Sequence, residues 1–140
     1  MSGTESRHIR PATHAAATWT HVFPARAEQV RHARKLLALA LDDCPMAEEI
    51  VLCLSEFAGN SVLHSASREP GGVFTVRAEI HHGERVHIEV RDHGGPWRER
   101  LAPTDRPHGL DIVRAVAAEC GVDGSALTGW TAWARFDWPG

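Results

Sequence analysis

Glu56, Asn60 and His64 fall at i, i+4 and i+8 of one helical stretch, on a single line beside its apolar stripe. Glu56 and Asn60 are then about 6 Å apart along the axis. A carboxylate beside an amide oxygen suits a hydrated Mg²⁺, which takes oxygen ligands and keeps several waters. The carboxylate also suits general-base work. The plain alternative for the same row is a solvated polar face. A second acid follows an alternating stretch in which Val86, Ile88 and Val90 are the apolar positions. Continued in phase, the alternation puts Asp92 on the core side at the strand's end. A charge on that side needs a partner, and His93-Gly94-Gly95-Pro96 lets a ligand approach the backbone closely. Such a carboxylate can accept from an exocyclic amine, as on adenine; a turn-capping aspartate is the competing reading. Third, Gly109 opens a helix after a Gly/Pro-rich loop over 93–107. A helix N-terminus offers free N–H groups and positive dipole charge to a phosphate, or is simply a helix start after a proline.

The elements that must position these residues follow from periodicity. Residues 18–23 (TWTHVF) predict a short strand. Pro24 opens a helix over 25–42, in which Val30, Ala33, Leu37 and Leu41 recur at helical spacing. Pro45 begins a second helix running to about 65, with Ile50, Leu54, Phe57 and Val62 as its stripe. Glu69-Pro70-Gly71-Gly72 is a turn. Strands over 74–80 and 86–91 alternate about a hairpin turn at Gly83. A third helix is expected over 108–120, a connection at Gly121 and Gly124, a weak strand over 125–127 and a last strand over 130–138. The order β-α-α-β-β-α-β-β predicts an α+β two-layer sandwich: a mostly antiparallel, mixed sheet with three helices on one face.

Composition narrows the function classes. The 140 residues suit one domain over 18–140, with 1–17 as a flexible N-terminal tail. The formal net charge of −3 argues against a dedicated nucleic-acid binder. No apolar run is long enough to span a bilayer and no signal-peptide pattern opens the chain, so a cytoplasmic protein without membrane contact is expected. Lys35 is the only lysine and lies in a helical pattern, which excludes a P-loop. Cys44, Cys53 and Cys120 are odd in number and widely spaced, as reduced thiols rather than a disulfide framework. The ten histidines form no metal-ligand spacing; adjacent His81 and His82 would face opposite sides of a strand.

Together, in order and spacing, three segments resemble the boxes of the Bergerat-fold ATPases, the superfamily of gyrase-type ATPases and histidine-kinase catalytic domains. SEFAGNSVLHS (55–65) resembles the N box, VRDHGGP (90–96) the first glycine box and PHGLDIVRAVA (107–117) the second. The short length, the N-H-S character of the N box and the G-L-x-I-V helix start look most like the RsbW-like anti-sigma factors, which are serine/threonine kinases. The resemblance covers about 18–138. It implies ATP and Mg²⁺, with Asn60 as the metal-binding asparagine and Glu56 as the residue that activates the attacking hydroxyl. It implies Asp92 as the adenine-reading aspartate with Gly94 and Gly95 beside it. His64, His108, Gly109 and Leu110 would complete the nucleotide site, and 96–108 would be the ATP lid. The implied partners are a sigma factor and an anti-anti-sigma protein of the STAS type, with a possible homodimer. Two positions depart from the pattern: Pro96 replaces the last glycine of the first box and Pro107 the first glycine of the second. Each removes a backbone N–H and fixes φ. The runner-up function is therefore a partner-sequestering module that binds nucleotide weakly or not at all and has no kinase activity. A sensor-kinase catalytic domain would need a dimerisation helix with a phospho-acceptor histidine, for which 140 residues leave no room.

Overall fold

The computed structural model describes residues 17–64, 71–93, 109–125 and 127–139, with positions 64, 109 and 110 described by backbone alone. The elements are β1 (Ala17–Pro24), α1 (Ala27–Ala40), α2 (Ala47–His64), β2 (Val73–His81), β3 (Arg85–Arg91), α3 (Gly109–Val116), β4 (Glu119–Ser125) and β5 (Gly129–Asp137). The tail before residue 17, Gly94, Gly95, Pro96, Pro107, His108 and the expected lid lie outside the described residues.

The five strands form one sheet in the order β1-β2-β3-β5-β4. Every pairing is antiparallel, so the sheet is not mixed. Burial alternates strictly along β2, where Phe74, Val76, Ala78 and Ile80 are buried. Val86, Ile88 and Val90 of β3 and Ala132, Ala134 and Phe136 of β5 join them on the same face. The helices cover that face: Ala33 and Leu37 of α1, Ile50, Leu54 and Phe57 of α2 and Val113 of α3 complete one core. The opposite face is charged and wet, with Arg77 bridging Glu79 at 3.3 Å and Glu89 at 3.9 Å. Hydrogen bonding to His81, with the adjacent Arg77 charge, holds Glu79 below the ordinary carboxylate value. α2 is the central helix, packed against α1, α3 and β3. Its Cys53 is a free, fully buried thiol, pushed up to about 12 mainly by that burial, so it stays protonated.

Two boundaries differ from expectation for physical reasons. Pro24 ends β1 rather than opening α1: it lies opposite Val73 on an edge strand, where a missing N–H costs no ladder bond. The third helix stops at Val116, and the glycines expected to form a connection lie inside β4. A Cβ on Gly121 would lie 3.0 Å from the indole of Trp133 across the ladder. Gly124 has φ +110, and a Cβ there would meet the backbone oxygen of Gly129 at 2.0 Å. These glycines let β4 and β5 approach each other, which no propensity scale reports. Gly124→Ala must therefore strain the β4–β5 end, at a cost on the order of 1–3 kcal/mol from the backbone conformation alone. The expected result is a thermal midpoint several degrees lower by calorimetry; an unchanged midpoint would show that the strand end relaxes freely.

Candidate functional site

α2 and the end of β3 meet at a polar point in an otherwise apolar interior. Among the described residues the buried polar or charged ones are Asn60, Ser61 and Asp92. β3 delivers Asp92 as its alternation requires. The residue continues the ladder beyond Arg91, its N–H donating to the Trp130 carbonyl at 2.9 Å. Its side chain points into the core and is 3 % exposed. The carboxylate accepts from the Ser61 hydroxyl at 3.3 Å on Oδ2 and from the Trp130 N–H at 3.2 Å on Oδ1. Asp92 is thus an oriented internal acceptor and not a turn cap. Behind it, Gly129 has φ +97, and a Cβ there would stand 2.6 Å from the Asp92 carbonyl oxygen. The close approach of β5 to the end of β3 needs that glycine.

α2 supplies the other residues. Asn60 is 6 % exposed, and its side chain has no hydrogen-bond partner among the described residues. A buried amide left unpaired costs about 1–3 kcal/mol, so a ligand that satisfies it is stabilised by the same amount. Glu56 is half-buried one turn earlier, on the same line. His64 is the last residue of α2 and continues the row by backbone position. No group of three or more His, Cys, Asp or Glu suited to a metal occurs among the described residues. A lone amide oxygen with a nearby carboxylate fits a hydrated Mg²⁺ shared with phosphate oxygens, and does not fit a cage of protein ligands. Gly109 and Leu110 begin α3, which packs against α2.

The structure therefore joins Ser61 of α2 to Asp92 at the end of β3, with Asn60 buried next to Ser61 in the chain and Glu56 a turn earlier along α2. Ser61 is a site residue that the pattern of polar spacing misses. It carried a signal nonetheless. Position 61 is seven residues beyond Leu54 and four beyond Phe57, on the buried stripe itself, and it is 1 % exposed. A serine there needs a partner, and Asp92 is that partner.

Comparison with known proteins follows this geometry. Residues 23–128 match the family of the histidine kinase-like ATPase domain. Among curated proteins, none matches the sequence significantly. The fold is similar to a structure of the RsbU and RsbW domains of Rv1364c from Mycobacterium tuberculosis, with a TM-score of 0.68 and 22 % identity over 88 % of this chain. The aligned region is 33 % of that larger chain, so this chain spans about a third of it. It is also similar to a structure of the SiaB–SiaC complex from Pseudomonas aeruginosa, with a TM-score of 0.53 and 10 % identity over 96 % of both chains. No helix among the described residues is long and apolar enough to cross a membrane.

Proposed function

This chain belongs to the histidine kinase-like ATPase family, and from that premise we propose that it is an anti-sigma-type protein kinase. It binds Mg-ATP between α2, the end of β3 and the start of α3. It transfers the γ-phosphoryl group to a serine or threonine of an anti-anti-sigma partner of the STAS type, and it sequesters a sigma factor in the cytoplasm. The observation that carries the reading is the set of buried polar residues: among the described residues Asn60, Ser61 and Asp92 are the polar ones that are buried, and Ser61 bonds Asp92. The likeness to an RsbW domain and to a chain from a two-protein complex supports a protein as the partner.

In this reading Asp92, fixed by Ser61 and Trp130, accepts a hydrogen bond from the adenine amine. Asn60 would hold Mg²⁺ through its amide oxygen, and the metal would supply charge neutralisation at the phosphoryl oxygens. Glu56 orients the partner's hydroxyl and takes its proton. The hydroxyl oxygen forms the new bond to the γ-phosphorus as the bond to the ADP oxygen breaks. The helix start at Gly109 faces phosphate with its free N–H groups.

A buried carboxylate opposite a guanine carbonyl would set acceptor against acceptor, costing on the order of 1–3 kcal/mol. Titration calorimetry in Mg²⁺ is therefore expected to show ATP binding tighter than GTP by about five-fold or more. Equal affinities would remove Asp92 from base recognition. Radiolabelled transfer to a co-purified STAS partner tests the chemistry. Pro96 and Pro107, which take two N–H groups from the glycine boxes, favour a second reading. In that reading the chain sequesters its partner without phosphorylating it, and ATP binds weakly or not at all.

A further inference from the structure

We propose that the indole of Trp130 is the surface on which the purine ring of the nucleotide stacks, so that Trp130 supplies affinity for a base and Asp92 selects which base. The proposal rests on the nucleotide reading above and adds a residue to it. Trp130 is tied to Asp92 twice through its backbone. Its carbonyl accepts from the Asp92 N–H at 2.9 Å, and its own N–H donates to Asp92 Oδ1 at 3.2 Å. The period of β5 places its side chain. Ala132, Ala134 and Phe136 are buried under the helices, and position 130 is in phase with them. The indole therefore leaves the sheet on the face that carries the Asp92 carboxylate. It is only half-buried, whereas the three residues that follow it in phase are 3 % exposed or less.

The neighbours leave room beside the ring. Opposite Trp130 on β4 is Gly124, and before it on β5 is Gly129. The backbone at both excludes a side chain: a Cβ would meet a backbone oxygen at 2.0 Å and at 2.6 Å. The row from β3 to β4 thus presents one carboxylate, one indole and bare backbone. An indole offers a flat apolar face that gains from a second aromatic ring laid against it. A purine whose amine meets Asp92 brings such a ring to the next residue in the row. The two contacts then divide the work. A carboxylate separates an amine from a carbonyl at the base edge, whereas stacking tolerates any base because every base has a π-face. Trp130 reaches Asp92 through main-chain atoms, so replacing its side chain leaves that donor in place.

The test is titration calorimetry in Mg²⁺ on the full chain and on W130F, W130L and W130A, with ATP and GTP as probes. W130A and W130L are expected to weaken both nucleotides by a common factor, roughly five-fold to a hundred-fold, which keeps the preference for ATP. W130F keeps a ring and should retain most of the wild-type affinity. Phenylalanine and leucine both keep apolar bulk at the strand end, so the comparison stands even where the alanine variant does not fold. ATP is also expected to change the tryptophan emission of wild type, and this change should shrink in W130F. Wild-type ATP affinity in W130L would overturn the stacking role and leave the nucleotide reading intact. Equal losses in W130F and W130L, with an emission change as large in W130F as in wild type, would make Trp130 a packing residue and overturn it too. A wild type that binds neither nucleotide would overturn the proposal together with the reading it rests on.

Discussion

Glu56→Gln is expected to bind Mg-ATP as tightly as wild type and to transfer phosphoryl groups on the order of 10²–10⁴-fold more slowly, the usual contribution of a general base. The substitution keeps size and one acceptor oxygen and removes the negative charge and the ability to take a proton. Glu56 is half-buried beside the stripe of α2, outside the core cluster, so packing is untouched. Asn60 and Asp92 remain in place to hold metal and base, so ground-state affinity is spared and the loss falls on the chemical step. The measurement is paired: calorimetry for ATP, and single-turnover transfer of label to the partner protein. Full transfer by the variant would make Glu56 part of a solvated helix face. A wild type that binds ATP and labels no co-purified partner would decide for the sequestering module.

What the sequence discloses about this site depends on how local each signal is. Asp92 is legible because a strand has period two: three apolar residues at 86, 88 and 90 are enough to point position 92 inward, and it is buried as that phase requires. The row of Glu56 and Asn60 is legible because a helix repeats every 3.6 residues. Ser61 is not, because apolar Val62 beside it reads as the continuation of the stripe that Ser61 occupies; Val62 is half-buried and Ser61 fully so. The reason for a buried serine is Asp92, 31 positions away. β4 fails for the same cause. Gly121 and Gly124 read as breakers, and their purpose is clearance for Trp133 and for the Gly129 carbonyl on another strand. Sheet order is equally non-local: β5 inserts between β3 and β4, and nothing within any one segment states which strand it will join.

Asn60→Ala should lose Mg²⁺-dependent ATP binding without losing stability, and the opposite signs of those two effects are what make it informative. A polar residue kept for structure is hydrogen-bonded, and its removal destabilises by leaving the partner unsatisfied. The Asn60 side chain has no such partner among the described residues, although it is 6 % exposed. Its burial is a cost of about 1–3 kcal/mol that alanine would not incur. Alanine is also the better helix former, by several tenths of a kcal/mol up to about 0.7. Against these gains stands a cavity the size of one amide group. The variant's thermal midpoint is therefore expected to equal or exceed that of wild type. Binding changes the other way: the amide oxygen assigned to the metal is gone, and adding Mg²⁺ should no longer tighten ATP in calorimetry. A residue whose loss leaves the fold intact or firmer and abolishes metal-dependent binding is held there for its ligand. A lower midpoint with unchanged Mg-ATP affinity would instead make Asn60 a structural amide.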